Sequence, residues 1–217
     1  MFDCDGTLVD SQYVIIDSMQ AAFRARGLPA PAPDAVKRIV GLSLPEAIGK
    51  LHGAGDSDMI KNLLAAYKEC FVELRARPGL HEPLFAHVVE TLTLLEAQGY
   101  LLGIATGKSR RGLAAVLETH GLAKLFVTLQ TADDAPGKPH PGMLERAMAE
   151  TGAEKDETVL IGDTVFDMEM ALNAGTGAFG VSWGYHEASE LHAAGADLVL
   201  EQLSELPPLL ERRQGVN

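Results

Sequence analysis

The first ten residues, MFDCDGTLVD, place Asp3 and Asp5 two positions apart, directly before Gly6. Further on stand Thr106 in IATGK, Lys138 in GKPHP, and Asp163 and Asp167 in GDTVFD. Each stretch follows a run with the length and apolar character of a β-strand, except that only Met1 and Phe2 precede Asp3. In an open parallel sheet, ligands bind beyond the carboxyl ends of the strands. That rule gathers the four aspartates, one hydroxyl and one ammonium in a single crevice. Like charges so close raise one another's pKa, and desolvation adds to the cost. A hard divalent cation such as Mg2+ removes the conflict, because it takes carboxylate oxygens together with water and phosphate oxygens. The set suits phosphoryl transfer, in which an aspartate attacks phosphorus and carries the group. Two acids at i and i+2 can divide that work. A turn at Gly6 curls the second over the same pocket. One then attacks while the other gives a proton to the leaving oxygen and takes one from water.

The elements that must position these residues follow from periodicity. From Asp10-Ser11 to about Arg26, Ile16, Met19 and Phe23 recur at helical spacing. Asp10 or Ser11 is placed to cap that helix. Short helical patterns cover 34–40 and 44–52. A long amphipathic helix covers 56–77, with Ile60, Leu63, Leu64, Tyr67, Phe71 and Leu74 on one face and Pro78-Gly79 as its stop. Residues 13–77 therefore read as wholly helical. The second half alternates. Helices are expected over 84–99, 109–121, 140–152 and 165–175. Strands are expected over 100–106, 125–130, 158–163, 179–183 and 196–200. Continuous apolar strands between amphipathic helices indicate a parallel sheet covered on both faces.

The bulk numbers narrow the partners. The chain has 217 residues, 47% of them apolar, which suits one α/β core carrying an insertion. Its net charge of −12 and lack of a basic run argue against nucleic acid and anionic lipid. The same field repels a phosphorylated substrate, so a cation or buried basic residues must offset it locally. Cys4 and Cys70 read as reduced thiols of a cytoplasmic protein rather than a disulfide framework. Met1 leads straight into acidic residues, with no signal peptide read there, and no apolar run approaches the ~20 residues of a membrane span.

The four motifs, in this order, resemble those of the haloacid dehalogenase superfamily of phosphatases. DCDGT looks like its first motif, Thr106 matches the second, Lys138 the third, and GDTVFD the fourth. The resemblance implies a Rossmann-like parallel sheet core with an inserted α-helical cap. Residues 1–12 would hold the first strand and loop of the core, 13–79 the cap, and 80–217 the remaining core. It implies Asp3 as nucleophile and Mg2+ ligand, and Asp5 as general acid/base whose carbonyl also meets the metal. Thr106 and Lys138 would hold the phosphoryl group, Asp163 would bind Mg2+, and Asp167 would do so through water or orient its neighbours. Gly107 and Lys108 would border the substrate. In the cap, Gly41 and Ser43 would line the pocket and Arg38 would take a substrate carboxylate. GLHEPLF together with GKPHP resembles phosphoglycolate phosphatases, so the expected substrate is a small phosphorylated metabolite and the protein a monomer or homodimer.

Pyrophosphate hydrolysis and phosphosugar mutation are alternatives within the superfamily. A receiver-like phospho-acceptor switch is the alternative outside enzymology; motif order and a helical insertion of about 65 residues oppose it. Cys4 is expected to pack away from the acids, and His140 to be a loop residue. A central strand usually needs about five or six residues, and the expectation is that the natural chain carries an apolar segment upstream of Met1.

Overall fold

The structure is a computed structural model that describes residues 1–53, 56–77 and 82–214. Four helices come first: α1 (Gln12–Ala25), α2 (Pro33–Lys37), α3 (Leu44–His52) and α4 (Ser57–Arg75). They pack on one another around Met19, Phe23, Val36, Ile48 and Leu63, which are all buried. The periodic apolar face read in the sequence is thus the face they share. Asp56 starts α4 by accepting the Met59 amide at 2.9 Å, one of the donors a helix start leaves unpaired. Its expected stop at Pro78-Gly79, and with it the expected 79/80 boundary, lies outside the described residues.

The rest of the chain alternates: α5 (Val88–Ala97), β1 (Gly103–Thr106), α6 (Arg110–Thr119), β2 (Thr128–Thr131), α7 (Gly142–Thr151), β3 (Val159–Gly162), α8 (Val165–Ala174), β4 (Gly177–Val181), α9 (Ala188–Ala193), β5 (Leu198–Leu200) and α10 (Leu206–Gln214). All strand pairings are parallel, β2 with β1 and β3 with β4 and β5. Phe2 joins the two groups. It bridges Ile104 on one side and Ile161 on the other. Its amide donates to the Gly103 carbonyl at 2.8 Å and its carbonyl accepts from Ala105 at 2.9 Å, while the next amide, of Asp3, donates to Ile161 at 2.8 Å. Side chains of a strand alternate between faces. Phe2, Ile104 and Ile161 accordingly enter one core with Leu92 and Val116. Ala105 and Leu160 enter the other with Met143 and Met168. Cys4 lies in the first of these cores, as expected of a packing residue.

Residues 84–87 depart from the expected helix. Leu84 forms an antiparallel bridge with Val9, and the Asp10 amide donates to Pro83 and the Phe85 amide to Leu8, at 2.8 and 3.0 Å. The two crossings between the first four helices and the sheet therefore run side by side. Helix α5 starts only after His87, whose φ is +63°. Helices α9 and α10 had no counterpart in the sequence pattern.

Candidate active site

Three carboxylates and one ammonium form the floor of the site. Asp3 extends the bridging segment, Lys138 lies in the loop after β2, Asp163 follows β3, and Asp167 sits in the first turn of α8. None is more than 1% exposed. The Lys138 ammonium stands 2.5 Å from Asp3 Oδ1 and 2.6 Å from Asp167 Oδ1. The Thr164 amide and hydroxyl donate to Asp167 Oδ2, at 3.1 and 2.6 Å, so this acid caps its helix and serves the cluster at once. Thr7 donates to Asp163 Oδ1 at 3.0 Å and the Tyr185 amide to Asp163 Oδ2 at 2.9 Å. Asp3 Oδ2 is buried without a partner.

The charges do not balance. With every group ionised, three carboxylates whose oxygens lie within 4.8 Å of one another would face one ammonium and leave a formal charge of −2. Burial first, then the neighbouring acids, raises the Asp3 carboxyl to about 7 against the opposing pull of Lys138. Burial, then Asp3 and Asp167, pushes Asp163 well above the usual carboxylate range. For Lys138, burial opposes its charge but the two facing acids outweigh it and raise its pKa. A divalent cation matches both the missing charge and the donor set of hard oxygens.

Asp5 stands beside this floor. Gly6 turns the chain with φ +90°. A Cβ there would lie 2.2 Å from Asp163 Oδ2, so only glycine fits. Asp5 Oδ1 accepts from the Ser11 hydroxyl at 2.5 Å and meets the Lys108 ammonium at 2.9 Å. Lys108 is nearly enclosed. Burial disfavours its charge, but Asp5 in particular outweighs this and raises its pKa. Its ammonium lies 4.0 Å from Glu82, which pairs with Arg75 of α4 at 2.6 Å. Thr106, at the end of β1, accepts the Lys108 amide at 3.2 Å.

A cavity of about 950 Å³ opens above Asp3, Asp5 and Thr106, between the sheet and the first four helices. Gly107, Lys108, Gly41 and Ser43 line it. Gly107 passes so close to the turn after α2 that a Cβ would lie 2.6 Å from the Leu42 carbonyl oxygen. Arg38 is not brought to the cavity. Its guanidinium holds Glu190 of α9 at 2.6 and 2.7 Å on an exposed surface. His140 keeps to its loop, accepting the Gly142 amide at 3.0 Å.

Sequence reasoning assigned no part to Thr7, Glu82, Thr164 or Tyr185, and gave Ser11 only a helix cap, whereas its hydroxyl makes no cap bond and turns to Asp5. Thr7 and Thr164 stood inside the quoted motifs. Tyr185 follows β4, and extending the strand-end survey by one strand would have reached it. Glu82 carries no local signal.

The comparisons with known proteins agree with this geometry. The sequence pattern of haloacid dehalogenase-like hydrolases matches residues 1–181. "Probable phosphatase IndB" of Dickeya dadantii is 37% identical over 210 residues, covering 95% of this chain and 90% of the relative. A phosphoglycolate phosphatase of Vibrio parahaemolyticus is 33% identical, covering 94% and 92%. The crystal structure of a hydrolase from Pseudomonas syringae superposes with a TM-score of 0.85 at 27% identity, covering 97% and 96%. With the motif residues converging under one cavity and the match running through both the helical and the sheet regions, the chain belongs to the haloacid dehalogenase-like hydrolases.

Proposed function

We propose that the protein is a Mg2+-dependent phosphatase that hydrolyses small-molecule phosphomonoesters through an aspartyl-phosphate on Asp3. The observation that carries this reading is the gathering of three buried carboxylates against one ammonium beneath a cavity, a formal charge of −2 when all are ionised, with one oxygen of Asp3 unpartnered. Asp3, Asp163 and the Asp5 carbonyl would hold Mg2+, with Asp167 behind them. Bound there, the ion would supply positive charge to the phosphoryl oxygens and restore the ionised form of Asp3.

The chain's own residues divide the reaction. Asp3 attacks phosphorus, and the bond from phosphorus to the ester oxygen breaks. Asp5 gives its proton to the departing oxygen. Ser11 and Lys108 both occupy its Oδ1, which leaves Oδ2 for that proton. Asp5 then takes a proton from water, whose oxygen attacks the phosphoaspartate and releases phosphate. Thr106 and the Gly107 amide hold the phosphoryl oxygens, and Lys138 stabilises the charge that develops on them. Helices α1 to α4 act as a cap that closes the cavity from above.

The test is a panel of phosphomonoesters, with pyrophosphate included, assayed for multiple turnovers of phosphate release with and without Mg2+. Asp3→Asn is the control. Release that needs Mg2+ and disappears in the variant is expected. Undiminished release by Asp3→Asn, or a single stoichiometric phosphorylation without turnover, would overturn the reading.

A further inference from the structure

We infer that the group this site removes phosphate from is an uncharged, apolar alcohol approaching a nucleoside in size, and not a short carboxylic acid. The inference rests on the phosphatase reading only for where the phosphate sits. The first support is volume. Drug-sized ligands occupy pockets of about 300–1,000 Å³, and the cavity of about 950 Å³ lies at the top of that range. A two-carbon acid would leave most of it to water.

The second support is the lining. Ile39, Val40, Leu64, Tyr67, Phe71 and Val72 face the space above the floor. Tyr67 and Phe71 stack with centroids 5.7 Å apart, and burial holds the Tyr67 hydroxyl protonated. A wall of this kind releases little water in favour of a carboxylate and much in favour of an apolar body.

The third support is the state of the cations. A substrate carboxylate needs a partner, because transfer of an unpaired charge out of water is costly. Lys108 is held by Asp5 at 2.9 Å and Arg75 by Glu82 at 2.6 Å. Arg38 is turned to Glu190, away from the cavity. Among the described residues, the other cations that border the cavity, Lys68 and Arg111, stand exposed at its rim. The enclosed part of the cavity thus offers a short acid no unengaged cation.

The experiment compares 2-phosphoglycolate, ethyl, benzyl and 2-naphthylmethyl phosphate, all esters of primary alcohols, by kcat/KM. The value is expected to rise at least tenfold from ethyl to 2-naphthylmethyl phosphate and to exceed that for 2-phosphoglycolate. Val72→Trp, which fills the cavity from a half-exposed position, is expected to lower the value for the naphthylmethyl ester at least tenfold more than that for the ethyl ester. A flat series, or 2-phosphoglycolate as the best substrate, overturns the inference while leaving the phosphatase reading intact. If no ester is turned over, the phosphatase reading falls instead. Calorimetry with non-cleavable 2-naphthylmethylphosphonate and phosphonoacetate then decides the inference: tighter binding of the first supports it, equal or weaker binding overturns it.

Discussion

The floor of the site and the walls above it are built on opposite terms. On the floor, buried Lys138 pairs with Asp3 and Asp167, Asp163 lies within 4.8 Å of those acids, and Thr7, Thr164 and Tyr185 fix three of the six carboxylate oxygens. The walls are apolar side chains on α4 and on the turn after α2, most of them held by packing. Electrostatic positioning tolerates no substitution of type, whereas an apolar wall accepts many residues of similar volume. Under the proposed function, the contrast assigns reaction and substrate choice to separate parts of this molecule, which should then be separable by mutation.

Four predictions can break or sharpen that contrast. The largest effect is expected at Asp5. Asp5→Asn should lower kcat for an alkyl ester by about 10²–10⁴ and lower it far less for p-nitrophenyl phosphate, whose leaving group needs no proton. Equal losses on the two esters would remove Asp5 from proton transfer.

Next comes Lys138→Ala. It leaves Asp3 and Asp167 buried with no cation between them, and removing one partner of a buried pair costs about 3–5 kcal/mol. Urea unfolding of the metal-free protein should show that loss. A change of under about 1 kcal/mol, the scale of an exposed pair, would mean that the floor relaxes as easily as a surface.

The third concerns pH. Asp3 goes from 3.8 unfolded to about 7 folded. Between those values the folded state binds more protons, so metal-free stability falls as pH rises through that window. Asp163 shifts in the same direction. Mg2+ competes with those protons, so the melting temperature should gain more from Mg2+ at pH 8 than at pH 5. A gain independent of pH would detach the metal from these carboxylates.

The smallest effect is expected for Arg38→Ala. The pair with Glu190 is exposed and lies outside the cavity, so both melting temperature and kcat/KM should stay at wild-type values. A marked rise in KM would return Arg38 to the substrate.

How legible these parts were in the sequence follows the same division. The acids and Lys138 were readable because each belongs to a short motif at a strand end, and a parallel sheet brings strand ends together by its topology. All five strands of the sheet fall within the runs expected to be extended, or one residue beyond them in β2 and two before in β4. What failed was non-local. Leu84 and Phe85 continue an apolar helical pattern, yet the backbone of Leu8, Val9 and Asp10, more than seventy positions earlier, claims that segment for pairing. Arg38 looked free because Glu190 lies 152 positions away. Glu82 meets Lys108 and Arg75, neither of them its neighbour in sequence. Local periodicity registers none of these pairings, since each depends on where the chain returns.

Phe2 gives the site its measure. Thr106, Asp3 and Asp163 terminate three adjacent tracks of one sheet, and Phe2 is the track between the other two. Neighbouring tracks are spaced about 4.7–4.9 Å apart by backbone hydrogen bonding. The pitch from Thr106 to Asp3 and on to Asp163 is therefore a lattice constant of the sheet, fixed by amides and carbonyls that are the same in every residue. Helical walls can be exchanged wholesale without retuning that pitch.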